Sequence, residues 1–190
     1  MWLDRNLGAT QVATSGTDSA AYGDLYQWGR ATDGHELRTS ATTATLATTI
    51  TPGTNTFITI NSSPNDWTTA GLSNAAREAA WADGGANDIC PAGFSVPTEA
   101  ELAADTSNAT TTNITNQLTA FASFLKLPNA GDRSRSNGGL IDVDGAGGLW
   151  SRSTTDSSNG RYLYFNSGGA PIFGDSRSFG LSVRCIGGQA

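Results

Sequence analysis

The sequence predicts an α+β fold in which short helices precede a twisted antiparallel sheet. Three observations carry this. Thr98 and Glu101 form a capping box that opens a helix, each side chain accepting from the other residue's backbone N–H. Leu118, Phe121, Ala122 and Leu125 stand at i, i+3, i+4 and i+7, one apolar helical stripe. From residue 140 the period becomes two: Leu163 and Phe165 alternate with Tyr162 and Tyr164, and Leu181, Val183 and Cys185 with Ser182 and Arg184. A content of 23 glycines, with abundant Ser and Thr, favours turns and short strands over long helices.

The elements follow in chain order. Residues 1–190 suit one domain, large enough to bury about 70% of its unfolded surface without needing a metal or disulfide. Ala20 to Arg30 is expected to be a short helix stopped by Gly29. Residues 40–63 are Thr-rich, and Pro52-Gly53-Thr54-Asn55 is a turn signal ahead of Phe57-Ile58-Thr59-Ile60; a long excursion with at most one short strand follows. The capping box starts one helix, with Glu99 and Glu101 at the positive end of its dipole. A second helix is expected over 114–125, stopped by Pro128. The closing sheet is expected to be a meander with turns at Gly168-Gly169 and Gly174. Trp2, Tyr26, Trp28 and Trp150 are the expected aromatic core.

Charge excludes whole classes of partner. The formal net charge is -6, Lys126 is the sole lysine, and no Lys/Arg block occurs. Nucleic acid and anionic membrane need concentrated positive charge. No apolar run reaches the roughly 18 residues that span a bilayer, so no membrane insertion is expected. No signal peptide is visible, because Met1-Trp2 runs straight into Leu3-Asp4-Arg5-Asn6-Leu7-Gly8. A leader or upstream segment is therefore expected to have been removed.

Catalytic chemistry finds little support. The single His35 reads as a solvent-exposed loop residue, without the second histidine that a zinc site or a Ser-His-Asp site would call on. No phosphate loop is present. Asp142-Val143-Asp144-Gly145 begins like a calcium loop, but Ser153 stands where an EF-hand needs a bidentate Glu. A looser calcium site at Asp142 and Asp144, or a plain Gly-rich turn, both remain open. No cofactor is expected. Asn61-Ser62-Ser63, Asn108-Ala109-Thr110 and Asn113-Ile114-Thr115 match the glycosylation sequon, a frequent chance event in a Thr-rich chain. Cys90 and Cys185 form either a bridge, closing a loop worth about 4–5 kcal/mol by the chain-entropy model, or two buried thiols.

Several motifs occur in a recognisable order. They are Trp2 to Ala9, Tyr22 to Arg30, Cys90-Pro91-Ala92-Gly93-Phe94-Ser95-Val96-Pro97-Thr98, Leu125-Lys126-Leu127-Pro128, Leu149-Trp150-Ser151 and Ser182-Val183-Arg184-Cys185-Ile186. Over nearly the whole chain this resembles the FISUMP paralogous-domain family of secreted and cell- or virion-surface proteins. The resemblance implies a C-type-lectin-like fold of the branch related to formylglycine-generating enzymes, with the two chain ends together and Cys90 paired with Cys185. Further cysteines near Val12 and Ala21, which some members resemble each other in carrying, are missing here.

The same fold is used by variable proteins of diversity-generating retroelements, where adenines of Asn codons are randomised. Gly180 to Cys185 resembles the invariant end of such a variable region, placing that region at 150–186. Randomised AAC or AAT codons cannot give Lys, Glu, Gln, Met or Trp. Residues 151–186 contain none of the five, where about three would fall by proportion. The implied function is the binding of a protein or glycan ligand, not catalysis. The expected surface is Arg152, Thr154, Thr155, Asp156, Arg161, Tyr162, Tyr164, Gly169, Pro171, Phe173, Gly174, Asp175, Ser176, Ser178 and Phe179. With Leu163, Phe165 and Ile172 facing the core, Tyr162, Tyr164, Pro171 and Phe173 would face outward. Aromatics among Gly, Ser and Asp resemble a paratope. The alternatives are a structural surface domain whose aromatics pack on a neighbouring loop, and a formylglycine-generating type of enzyme.

Overall fold

The capping box folds as read. In the computed structural model, which describes residues 1–108, 110 and 112–188, the Thr98 hydroxyl accepts from the Glu101 N–H at 3.2 Å, and the Glu101 carboxylate accepts from the Thr98 N–H at 2.8 Å. The architecture is α+β, with short helices and mainly antiparallel sheets. Ala109 of the Asn108-Ala109-Thr110 sequon lies outside the described residues.

The start of the chain departs from expectation. Residues 20–30 are not a helix: a 3-10 turn at Ser19–Ala21, capped by Asp18, gives way to strand β1 (Tyr26–Gln27). Gly23 explains the break. Its φ is +70°, and a Cβ there would stand 2.2 Å from the Leu7 carbonyl, so only glycine fits and the helical conformation is lost. The Thr-rich excursion holds two short strands where at most one was expected. These are β2 (Thr42–Thr43) and β3 (Phe57–Ile58), paired in parallel. Buried Gln27 ties β3 down. Its Nε2 donates to the Ile58 and Ser178 carbonyls, and its Oε1 accepts from the Ile58 N–H.

Helix α1 (Asn74–Ala80) was not expected. Ser73 caps it through the Ala76 N–H, and Arg77 is its only buried residue. Strand β4 (Phe94–Ser95) precedes α2 (Glu99–Thr106), and the pair β5 (Ser107–Asn108) and β6 (Thr112–Asn113) follows. Helix α3 is Gln117–Ala122, shorter than the expected 114–125. Ser123 is extended, with ψ 165°, which breaks the helix before the stripe is complete. Leu118 is consequently 73% exposed, whereas Leu125 reaches the core from beyond the helix end.

Strands β7 (Asp132–Arg133) and β8 (Leu140–Ile141) form a hairpin. The meander is β9 (Gly147–Thr154), β10 (Asn159–Phe165) and β11 (Ile172–Ser176), in the order β11-β10-β9. It ends there. Strand β12 (Gly180–Leu181) leaves it to join the sheet β1-β12-β7-β8, and β13 (Ile186–Gly187) pairs with β4. The alternation expected at 181–185 is absent, because Leu181 to Ile186 are all buried. Ser182 bridges β9 beside Leu149, and Arg184 spends its guanidinium on Asn6 and on the Leu3 and Leu125 carbonyls. Burial pushes the Arg184 pKa down to about 10.

The first and last described segments lie together. Leu3 N–H donates to the Cys185 carbonyl at 3.0 Å and Leu7 N–H to the Val183 carbonyl at 2.9 Å. Cys90 and Cys185 form a disulfide with Cα atoms 6.0 Å apart.

Two apolar clusters flank the meander. One contains Tyr26, Trp28, Trp81, Trp150 and Tyr162; the other contains Leu102, Ile114, Leu127, Leu149, Leu163 and Phe165. Trp2 is partly exposed, packs on the second cluster and donates its indole N–H to Asp105, so it is not the core residue expected. Four tryptophans are fully buried, and each indole N–H finds a backbone carbonyl: Trp28 on Ser151, Trp67 on Trp28, Trp81 on Arg30 and Trp150 on Tyr26. The Trp28–Ser151 and Trp150–Tyr26 bonds are reciprocal. They lock the N-terminal third onto the meander and satisfy polar groups that would be costly to bury unpaired.

Candidate functional site

Register sorts the meander residues into two faces. Tyr162 stands opposite Trp150 on one side and Phe173 on the other, while Leu163 stands opposite Leu149 and Ile172. Period two then puts Trp150, Tyr162, Tyr164, Phe173 and Asp175 on one face and Leu149, Leu163, Phe165 and Ile172 on the other.

Tyr162 was expected to face solvent, and it is buried. The expectation assumed one open face, but both are covered. Helix α2 and its neighbours cover the Leu163 face, and the N-terminal tryptophans cover much of the other. At Gly160 the contact is close enough that a Cβ would stand 2.5 Å from Trp28. Only the far end of this face is open. The rings of Trp150 and Tyr162 lie 5.3 Å apart, those of Tyr162 and Phe173 4.8 Å, and those of Tyr164 and Phe173 5.9 Å. This aromatic ladder runs from Trp150, fully buried, to Phe173, 36% exposed. The first two pairs meet edge to face and the third is tilted, and such contacts add to what area burial alone gives.

A shallow groove of about 370 Å³ lies at the open end, lined by Tyr164, Asn166, Gly168, Gly169, Pro171 and Phe173. Asn166 builds its floor. The Asn166 side-chain oxygen accepts from the Gly168 and Gly169 N–H groups, and its Nδ2 donates to the Tyr164 hydroxyl. Asn166 and Gly168 were not among the expected site residues, although the Asn-Ser-Gly-Gly turn chemistry marks them.

The other expected residues divide. Ser176 and Ser178 are buried, a correction: the Ser176 hydroxyl donates to the Asn65 carbonyl, and the Ser178 carbonyl accepts from the Gln27 amide. Arg161 points to the opposite face, in a bidentate pair with Glu99 at 2.9 and 2.7 Å, which holds the Glu99 carboxyl below its usual range. Arg152 donates to the Val96 carbonyl, and Thr154 donates twice to Glu78. Thr155 and Asp156 are exposed in the β9–β10 turn, with Gly174 adjacent to Thr155. The N–H groups of Ser158 and Asn159 hold the Asp156 carboxyl down to about 2. Phe179 is half-buried under the Arg135 guanidinium. The structure thus gathers Tyr164, Gly169, Pro171 and Phe173 at the groove, with Asp175 further along the same face. It sets Arg152, Thr154, Thr155, Asp156, Arg161 and Phe179 elsewhere.

His35 is also corrected. It is fully buried, its Nε2 accepting from the Gln27 N–H and its Nδ1 2.7 Å from Asp33 Oδ1. Burial pushes its pKa down, favouring the neutral ring. Asp33, His35 and Glu36 are the one group of possible metal ligands among the described residues. Their atoms are already engaged, since Glu36 accepts from the Asp33 and Gly34 N–H groups and Asp33 from Arg30. Asp142 and Asp144 sit in a turn at positive φ, and Asp144 accepts from the Tyr22 hydroxyl. Near them, burial and the Asp142 charge push the Asp132 carboxyl up to about 7. The chain matches no protein-family model, and no curated protein or solved structure is detectably similar to it.

Proposed function

We propose that this chain is a ligand-binding module of C-type-lectin-like fold, with the groove at the open end of the meander as its contact point, and that it is a variable protein of a diversity-generating retroelement. The observation that carries the binding reading is the aromatic ladder ending at the groove. Its inner rings are immobilised by the core, while Tyr164, Pro171 and Phe173 present apolar surface to solvent. Rigid aromatics flanked by small polar residues give contact area at low entropic cost. About 370 Å³ suits one inserted side chain or sugar ring, which a protein or glycan ligand would supply. The disulfide suits an oxidising compartment and hence a secreted or surface-exposed protein. It also occupies both cysteines, which leaves no thiol for formylglycine-type chemistry.

The binding reading is tested by randomising Tyr164, Pro171, Phe173 and Asp175 together, displaying the library on cells and selecting against an unrelated folded protein. Folded clones that bind are the expected outcome; loss of display in most clones would sink the reading. The retroelement reading has its own test in genomic DNA. A near-copy of the coding sequence for residues 150–186, differing only at adenines and lying beside a reverse transcriptase, is expected.

A further inference from the structure

Three buried arginines, Arg30, Arg77 and Arg177, pack against Trp28 and Trp67, and none of them lines the groove. Their guanidiniums interleave with indoles: Arg30 lies 5.6 Å from the Trp67 ring, Arg77 5.1 Å from Trp67 and 5.3 Å from Trp28, and Arg177 4.6 Å from Trp28. Arg30 has its own carboxylate, with Nε 2.7 Å from Asp33. Arg77 and Arg177 do not. They share Asp66, at 2.6 Å and 3.3 Å respectively. The remaining partners of Arg177 are neutral, the Asn74 side-chain oxygen and the Asp156 carbonyl. The Asp156 carboxylate acts on Arg177 more weakly, from its own solvated turn. Arginine keeps its proton in proteins, so the pair carries one more positive charge than Asp66 cancels. The Nε of both Arg77 and Arg177 is also buried and without a hydrogen-bond partner.

This surplus borders open space. A hollow of about 450 Å³ is lined by Arg77, Arg177 and Asp66, with Thr69, Leu72 and Ser157 exposed at its rim. Buried charge demands a counter-charge, and a hollow beside it can hold one. We propose that this hollow binds a small oxyanion, namely a sulfate, phosphate or carboxylate, free or as the terminal group of a larger ligand. The anion takes the place of the missing second carboxylate and accepts from the guanidinium edges and the Ser157 hydroxyl. Arginine is suited to the task because its planar fork matches these groups. The site is distinct from the groove and does not depend on it.

The reporter is built in, because Trp28 and Trp67 stack against the guanidiniums that would meet the anion. The test titrates the intact chain with sodium sulfate, sodium phosphate or sodium acetate at ionic strength held constant with sodium chloride, and follows tryptophan emission and the thermal midpoint. A saturable change with a dissociation constant on the order of 1 mM is expected for at least one anion. Saturation by sulfate and phosphate alone identifies a tetrahedral dianion; saturation by acetate alone identifies a carboxylate. Ser157 is exposed, so its variants keep the fold. Ser157→Lys is expected to tighten binding and Ser157→Asp to weaken it, each by roughly fivefold. A linear response to all three anions, or a dissociation constant that ignores both Ser157 variants, overturns the proposal.

Discussion

Residues 181–186 and residues 164–173 lie close in sequence and obey opposite rules. In the first stretch side chains of both parities are buried: Leu181, Val183 and Cys185 in the aromatic cluster, and Ser182 and Arg184 against other backbone. In the second, Phe165 is buried while Tyr164, Pro171 and Phe173 reach solvent, and the polar backbone of the turn is closed locally by Asn166. The first stretch depends on partners from residues 3, 6 and 125; the second depends mainly on itself. A region whose hydrogen bonds close within its own turn can change side chains without disturbing the rest. A region that satisfies distant carbonyls cannot.

That contrast can be broken by measurement. The largest effect is expected at the inner end of the ladder. Trp150→Ala removes a fully buried ring and its bond to the Tyr26 carbonyl, and should cost about 3–5 kcal/mol in urea unfolding. Next comes the covalent tie. Reducing Cys90–Cys185, or replacing both by Ala, should cost about 2–4 kcal/mol, read as the same unfolding with and without reductant. The smallest effect belongs to the outer end, where Phe173→Ser should cost under about 1 kcal/mol, as half-exposed positions do. Should Phe173→Ser destabilise as much as Trp150→Ala, the groove is core and the contrast fails.

What the sequence made legible was local. The Thr98/Glu101 box needs only residues three apart, so it could be read directly. The strand at 162–165 was visible in its alternation, and Phe57-Ile58 in its turn signal. Much of what failed was set by distant residues. Whether Tyr162 faces out depends on Trp28 and Trp150, and period two cannot tell one covered face from two. His35 looked solvated because Gln27 and Asp33 become its partners only in the fold. The Leu118 stripe fitted a helix that Ser123 ends early. Helix α1 gave no periodic signal, because the one side chain it buries is Arg77. The buried arginines were invisible for the same reason. A charge reads as surface until a tryptophan on either side is known to cover it.

The pairing of the two chain ends has a mechanical meaning. Residues 2–7 lie alongside 183–186, so a pull applied to both ends peels them apart one hydrogen bond at a time. Unravelling from the carboxyl end halts at Cys185, and from the amino end it halts at Cys90. Tension then passes through the sulfur bridge and bypasses every residue between. Helix α2, the meander and the groove all lie inside that bypassed loop. A module stretched by its ends would lengthen by at most ~3.6 Å for each residue ahead of Cys90 or beyond Cys185, while the segment from 91 to 184 stays out of the path of the load.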